Sequence, residues 1–196
     1  MNQNQKTNNK QKILNAAIEC IEQYGLEKVT VRNVAQAAKV NIAAINYYFG
    51  SKDKLLHEVL RQTLHEAFIN NIHDYLQKND IGKNDLADFF AHNLEGMINY
   101  PHIVKAHFHD AYIDNNYKGM AMSRLHIFLE SMQSKIKRVS KEKDEALQFS
   151  LIQIFSAVFM IGLFPSLYQK FLSLDLKNEQ VRKKYINHLL DHYLIN

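Results

Sequence analysis

Only six glycines and two prolines interrupt 196 residues, too few turn breakers for a chain built of many short strands. Between those breakers apolar side chains recur at three- and four-residue spacing rather than in alternation, which is the periodicity of helices with one buried face. With 46% hydrophobic residues there is ample material for a core. The expected fold is all-α. The length exceeds what one small helical module needs, so the chain divides into an N-terminal domain over 1–50 and a larger helical domain over 51–196.

The most specific local pattern runs from Thr30 to Lys54. Val31, Val34, Ala35 and Ala38 make the i, i+3, i+4, i+7 stripe of a short helix, with Thr30 placed to cap it, a role worth about 1 kcal/mol. A tight three-residue connection follows, and Asn41 caps a second helix in which Ile45 and Phe49 face the core. At about 100° per residue, Ala43 and Tyr47 then point away from it, with Ala44 and Asn46 on the flanks. Residues 30–49 read as a helix-turn-helix whose outward face suits nucleic acid. Small Ala43 and Ala44 allow close approach and thymine-methyl contact, and Asn46 offers adenine a bidentate pair. Tyr47 and Tyr48 offer hydroxyls to phosphate, and Lys52 adds a charge just beyond the helix. Residues 1–56 carry eight Lys plus Arg against four acids, so the chain's whole formal excess of +4 lies there, as a phosphate-binding module requires.

The run Tyr-Tyr-Phe-Gly-Ser-Lys-Asp-Lys-Leu-Leu at 47–56, Thr-Val-Arg at 30–32 and the amphipathic segment Lys12 to Gly25 before them resemble the N-terminal domain of the TetR (tetracycline repressor-like) regulators. That resemblance implies an all-helical homodimeric repressor, and puts DNA contacts at Thr30, Arg32, Ile42, Ala43, Ala44, Asn46, Tyr47, Tyr48 and Lys52, to which Asn41 is added. It also implies that two long C-terminal helices pair with their copies across a two-fold axis. Two departures from the family pattern matter. Lys39 stands where a turn glycine is usual, at a cost of roughly 1 kcal/mol if its φ is positive. Asn46 stands where an aromatic is commoner, so base preference does not transfer.

The polar start, Met-Asn-Gln-Asn-Gln-Lys-Thr-Asn-Asn-Lys, lacks the apolar segment of a signal peptide and reads as a mobile arm reaching the DNA backbone. A cytoplasmic location is expected, with no membrane partner. The apolar passage Leu151 to Leu167 is interrupted by Gln153, Ser156 and Pro165, so it reads as a buried or interfacial helix. Cys20 falls on the buried stripe of the first helix and is expected to be inert.

Beyond the headpiece the pattern predicts helices from Ser51 to about Leu76, from Asp85 as cap to Tyr100, and from His102 to about Ile113. Further helices are expected over Met120–Val139, Lys141–Leu163 and Glu179–Leu194, with breaks at Lys78–Asn84, Asp114–Gly119 and between Pro165 and Asn178. Phe149, Ile152, Ser156, Phe159 and Leu163 form one candidate dimer stripe, and Val181, Tyr185, Leu189 and Tyr193 another. Dimerisation follows because DNA half-sites require two headpieces about 34–36 Å apart.

Large adaptable side chains in the middle helices suit an apolar effector pocket: Phe89, Phe90, Met97, Phe108, Phe128, Met132, Phe155 and Phe159, with His92, Asn93, His107 and Tyr112 as polar contributors and Asp110 beside them. The expected partners are therefore a roughly palindromic double-stranded operator, a second copy of the chain, and a small, mainly apolar or aromatic effector. No cofactor is expected. His107, Asp110 and Asp114 at i, i+3, i+7, and His188 with His192, share helix faces at metal-ligand spacing, but no Cys accompanies them and no metal is assigned. An enzyme of the helical carboxylate-metal type needs Glu-x-x-His pairs, and no Glu here has a His three residues on. The remaining alternative, an effector-independent architectural DNA-binding protein, requires a filled second domain without a cavity.

Overall fold

The computed structural model describes residues 3–77, 81–139 and 144–194. Among them eleven α-helices follow one another and no strand occurs. Helices α1 (Gln3–Tyr24), α2 (Val31–Ala37) and α3 (Ile42–Phe49), with a one-turn 3-10 helix at Leu26–Lys28, make the N-terminal unit. Helix α4 (Lys52–Gln77) leads out of it into α5 (Lys83–Asn99), α6 (Pro101–His107), α7 (His109–Ile113), α8 (Met120–Val139), α9 (Asp144–Leu163), α10 (Pro165–Leu172) and α11 (Glu179–Tyr193).

Two apolar cores hold these helices. The first gathers Ile13, Ala17, Ile21, Val34, Ile45, Phe49, Leu55 and Val59 from α1 to α4. It also takes in Ile103 and Ala106 of α6, so the headpiece core is completed by a helix of the second unit. The second core packs Phe90 and Leu94 of α5 with Met132 of α8, Ile154 of α9, and Ile186 and Leu190 of α11. At the crossing of α5 and α9 the backbones approach so closely that a Cβ on Gly162 would lie 2.7 Å from Met97 Cβ. The apolar helix α9 is long enough to cross a membrane by length and composition. Here Leu147, Leu151, Ile154, Val158 and Ile161 bury one side of it within the second core. Cys20 is buried, and burial raises its thiol pKa.

Several boundaries differ from the expectation. The polar start forms no separate arm, because α1 already begins at Gln3; this stretch has neither Gly nor Pro to stop it. Lys10 on that extension lies 3.5 Å from Glu58 of α4 and over the Phe49 ring. Asp85 caps α5 from its third helical position instead of preceding it, its carboxylate accepting from the Gly82 N–H at 3.0 Å. The segment expected as one helix after Tyr100 is two, α6 and α7, turned at Phe108. Pro101 and Pro165 do not simply end what precedes them; each is the first residue of a helix, where a missing N–H costs nothing, and α10 was not expected at all. The expected break residues Lys78–Asp80 and the expected α9 start at Lys141 lie outside the described residues.

Candidate nucleic-acid interface and internal cavity

The geometry of the α2–α3 turn is set by its caps. Thr30 Oγ1 accepts from the Asn33 N–H at 3.1 Å and starts α2. At the other end the Lys39 N–H donates to Gln36 O at 3.1 Å and the Val40 N–H to Ala35 O at 3.0 Å, the paired bonds of a Schellman motif. That motif needs a left-handed residue, and Lys39 supplies it at φ 53°, where glycine would be unstrained. Asn41 then caps α3, its side-chain oxygen accepting from the Ala43 N–H. Gly50, at φ 79°, ends it.

These caps fix which side of α3 meets solvent. Ile45 and Phe49 are buried, whereas Asn41, Ile42, Ala43, Asn46 and Tyr47 are exposed, Tyr47 by 66%. Ala44 and Tyr48 are half-buried, Tyr48 packing on the headpiece core with its ring edge-to-face against Tyr47 at 5.1 Å. Thr30 and Arg32 are exposed at the start of α2, and Lys52 is half-buried at the start of α4. All the candidate DNA-facing side chains thus keep access to solvent.

Behind the headpiece, α1, α4, α5, α6, α8 and α9 enclose a cavity of about 390 Å³, within the range of small-molecule sites. Of the candidate residues, Phe89, Phe90, His92, Asn93, Met97, His107, Phe108, Phe128, Phe155 and Phe159 line it. Most of its ring pairs meet edge-to-face, Phe108 against Phe159 at 4.8 Å, Phe128 against Phe155 at 5.2 Å and Phe90 against Phe155 at 5.5 Å, while Phe89 stacks on Phe128 at 5.1 Å. The exposed residues Glu66, His92, Gly96 and Tyr100 mark its rim. Two candidates are not part of the lining. Tyr112 is 79% exposed, because the turn at Phe108 rotates the residue four positions on out to solvent. Met132 is fully buried in the second core, one helical turn past Phe128, where packing has closed.

Ile18 of α1, Thr63 and Leu64 of α4, Ile103 and Val104 of α6, Leu125 and Val158 also line the cavity and were not anticipated. Their apolar spacing was visible, but spacing does not distinguish a side chain facing a void from one facing a neighbour. Inside, His107 Nε2 lies 3.1 Å from Thr63 Oγ1, and burial pushes the imidazole pKa down to about 4, so it is neutral near pH 7.

The fold splits the His107, Asp110 and Asp114 set between α6, α7 and the loop after it. His107 faces the cavity from α6, while Asp110 sits on α7 with its carboxylate 3.4 Å from His109, and Asp114 is exposed. His188 and His192 are exposed on α11. No group of three or more metal-ligating side chains gathers among the described residues.

The dimer stripes divide as well. Phe149, Ile152 and Ser156 are exposed on α9, Ile152 by 62%, and Leu163 is half-buried; Met160 and Leu167 extend the apolar face. Phe159 points instead into the cavity. On α11 Val181, Tyr185 and Tyr193 are half-buried against the second core, and burial pushes the Tyr185 hydroxyl pKa up to about 12. Leu189 is 8% exposed and belongs to that core: four-residue steps drift round a helix of 3.6 residues per turn, and here the drift carries the stripe inward.

The family model for bacterial regulatory proteins of the tetR family matches residues 13–59, which span α1 to the first turns of α4. The headpiece is similar in sequence to the TetR-family regulators over these residues. Over 55 residues it is 38% identical to the HTH-type transcriptional regulator BetI 2 of Chromohalobacter salexigens, a match covering 28% of this chain and 27% of that protein. Over 56 residues it is 34% identical to BetI of Paraburkholderia phytofirmans, covering 29% of each. The match therefore spans a little over a quarter of these curated relatives. In fold the TetR likeness extends further. The crystal structure of HlyIIR, a hemolysin II transcriptional regulator, superposes with a TM-score of 0.61 at 19% identity over 97% of this chain and 99% of that one. A TetR transcription regulator from Haloarcula marismortui gives 0.64 at 16% identity over 96% and 99%. The all-α fold of these two regulators thus extends over nearly the whole chain.

Proposed function

We propose that the protein is a homodimeric, ligand-responsive transcriptional regulator, a repressor released from a roughly palindromic operator by a small, mainly apolar or aromatic effector. The observation that carries this reading is the exposed face of α3, presenting Ala43, Asn46 and Tyr47 from a TetR-type headpiece that holds the chain's entire positive excess. The N-terminal unit over 1–50 reads DNA, and the unit over 51–196 binds the effector and dimerises. Dimerisation is supported by the exposed apolar side chains of Phe149, Ile152, Met160 and Leu167 along α9 and α10. Response to an effector is supported by the cavity, which an architectural protein would have no reason to keep open. In this mechanism the effector prefers a form in which α4 has moved and the two headpieces no longer match successive major grooves. A cytoplasmic location follows from that work.

Selection of bound sequences from random DNA, using the full chain, tests the reading. The expected product is a two-fold symmetric site with half-sites about one helical turn apart, or a multiple of it. Recovery of unrelated sequences, or a monomeric mass at micromolar concentration, would overturn it.

A further inference from the structure

Among the polar side chains that line the aromatic cavity, His107 and Asn93 each present an acceptor. Thr63 Oγ1 lies 3.0 Å from Val59 O and 3.3 Å from Leu60 O, the usual back-bond of a helical threonine. Carbonyl oxygens only accept, so the hydroxyl proton points along α4 and the oxygen lone pairs face His107. With the hydroxyl proton on Val59 O, the Nε2 atom at 3.1 Å carries the imidazole proton, and Nδ1 of the neutral ring is then an acceptor. Asn93 is fixed the same way. Its Nδ2 donates to Phe89 O at 2.8 Å, so its carboxamide oxygen is the free end of a side chain that lines the cavity.

Around these acceptors stand the faces and edges of Phe90, Phe108, Phe128, Phe155 and Phe159. Resting on the reading of this cavity as the effector site, we propose that it selects neutral aromatic molecules bearing hydrogen-bond donors, phenols by class, with the donor meeting His107 and Asn93. A carboxylate would set its lone pairs against those of His107 Nδ1 and the Asn93 carboxamide oxygen, and bury a charge with no Lys or Arg among the described lining residues. An ammonium ion would meet neutral acceptors, with Glu66 at the exposed rim as the one carboxylate among the described lining residues. A ligand that supplies the missing donor is accepted and one that lacks it leaves buried groups unpaired, the arrangement that discriminates most strongly between isosteres.

Calorimetric titration of the full chain with 4-phenylphenol, 4-methoxybiphenyl, biphenyl-4-carboxylate and 4-phenylbenzylammonium tests the proposal without DNA. The phenol should bind at least about tenfold more tightly than each of the others, and His107→Phe, which keeps ring bulk and removes the acceptor, should erase most of that preference. Thr63→Val gives a second variant, expected to weaken the preference by freeing the tautomer. On the unaltered protein, the nitrogen–proton correlation spectrum of the imidazole should show the Nε2–H form with an Nδ1 signal that moves on phenol binding. Equal affinity for the phenol and its methyl ether, no binding of any probe at millimolar concentration, or an Nδ1–H tautomer would overturn the proposal. If the phenol binds with this preference but leaves operator binding unchanged, the ligand class stands and the effector reading falls.

Discussion

Glu22, in the last turn of α1, caps α6: its carboxylate accepts from the backbone N–H of Ile103 at 2.6 Å and of His102 at 3.4 Å. The His102 ring closes the contact from the other side, its Nδ1 lying 2.6 Å from Glu22 O. A carboxylate at a helix N-terminus satisfies orphan donors and opposes the positive end of the helix dipole. Glu22→Ala should therefore cost about 1–2 kcal/mol of stability, and Glu22→Gln less, as read from urea unfolding midpoints. An unchanged midpoint for the alanine variant would mean that the cap is idle.

On the exposed face of α3, Tyr47→Ala and Lys52→Ala should lower operator affinity evenly across sequences and leave the circular dichroism spectrum unchanged. Asn46→Ala should act differently, relaxing sequence preference at one position by about 1–3 kcal/mol. Binding measured on the selected site and on single-base variants separates the two patterns. Unchanged affinity in both Tyr47→Ala and Lys52→Ala would show that this face does not meet DNA.

Lys39 holds a left-handed conformation in the turn between α2 and α3, at φ 53°. Lys39→Gly should leave stability unchanged or raise it by up to about 1 kcal/mol, the reverse of a normal glycine substitution in a helix. A destabilised variant would show that the lysine side chain contributes more than its backbone costs.

Two histidines near one another in sequence have opposite pH signatures. Burial holds His107 near a pKa of about 4, below its unfolded value, so the unfolded chain binds the extra proton. Stability should fall as pH drops from about 6.5 to about 4, and His107→Phe should flatten that part of the profile. His109 is raised, chiefly by its hydrogen bond to Glu27 at 3.3 Å, so its contribution is complete below the unfolded pKa and is lost as pH climbs through the folded one. Thermal scans of His107→Phe and His109→Gln against pH distinguish them, and parallel profiles would refute the assignment.

At the α5–α9 crossing, Gly162→Ala would set its new Cβ 2.7 Å from Met97 Cβ, a position fixed by the backbone and unable to swing away. The expected loss is about 1–3 kcal/mol, of which Met97→Ala in the double variant recovers only the part due to Met97 Sδ and Cε, which also crowd the new Cβ. Additive losses in a double-mutant cycle would contradict this close approach.

The headpiece was legible in the sequence because its signals are local. Thr30 and Asn41 cap within three residues of their own position, and the Ile45–Phe49 pair fixes the face of a helix barely two turns long. Farther on, the same periodicity located most helices and misjudged some of what they face. Phe108 and Tyr112 share a stripe only if the helix is continuous, and the turn at Phe108 breaks that condition. Leu189 and Phe159 were spaced like interface residues, yet a second core and a cavity claim them. Ile18 could not be assigned to the cavity by any local rule, since its neighbours there are more than forty residues away in the chain.

Ile18 has a consequence for how the molecule can be taken apart. The first helix of the headpiece is also a piece of the cavity wall, and α6 is in turn a piece of the headpiece core. Cutting the chain near residue 50 would therefore yield two damaged halves, one with an unfilled seat where Ile103 and Ala106 belong and one with a breach where Ile18 stood. The boundary that is plain along the sequence has no matching plane of separation in space, and the cavity lies against the headpiece itself.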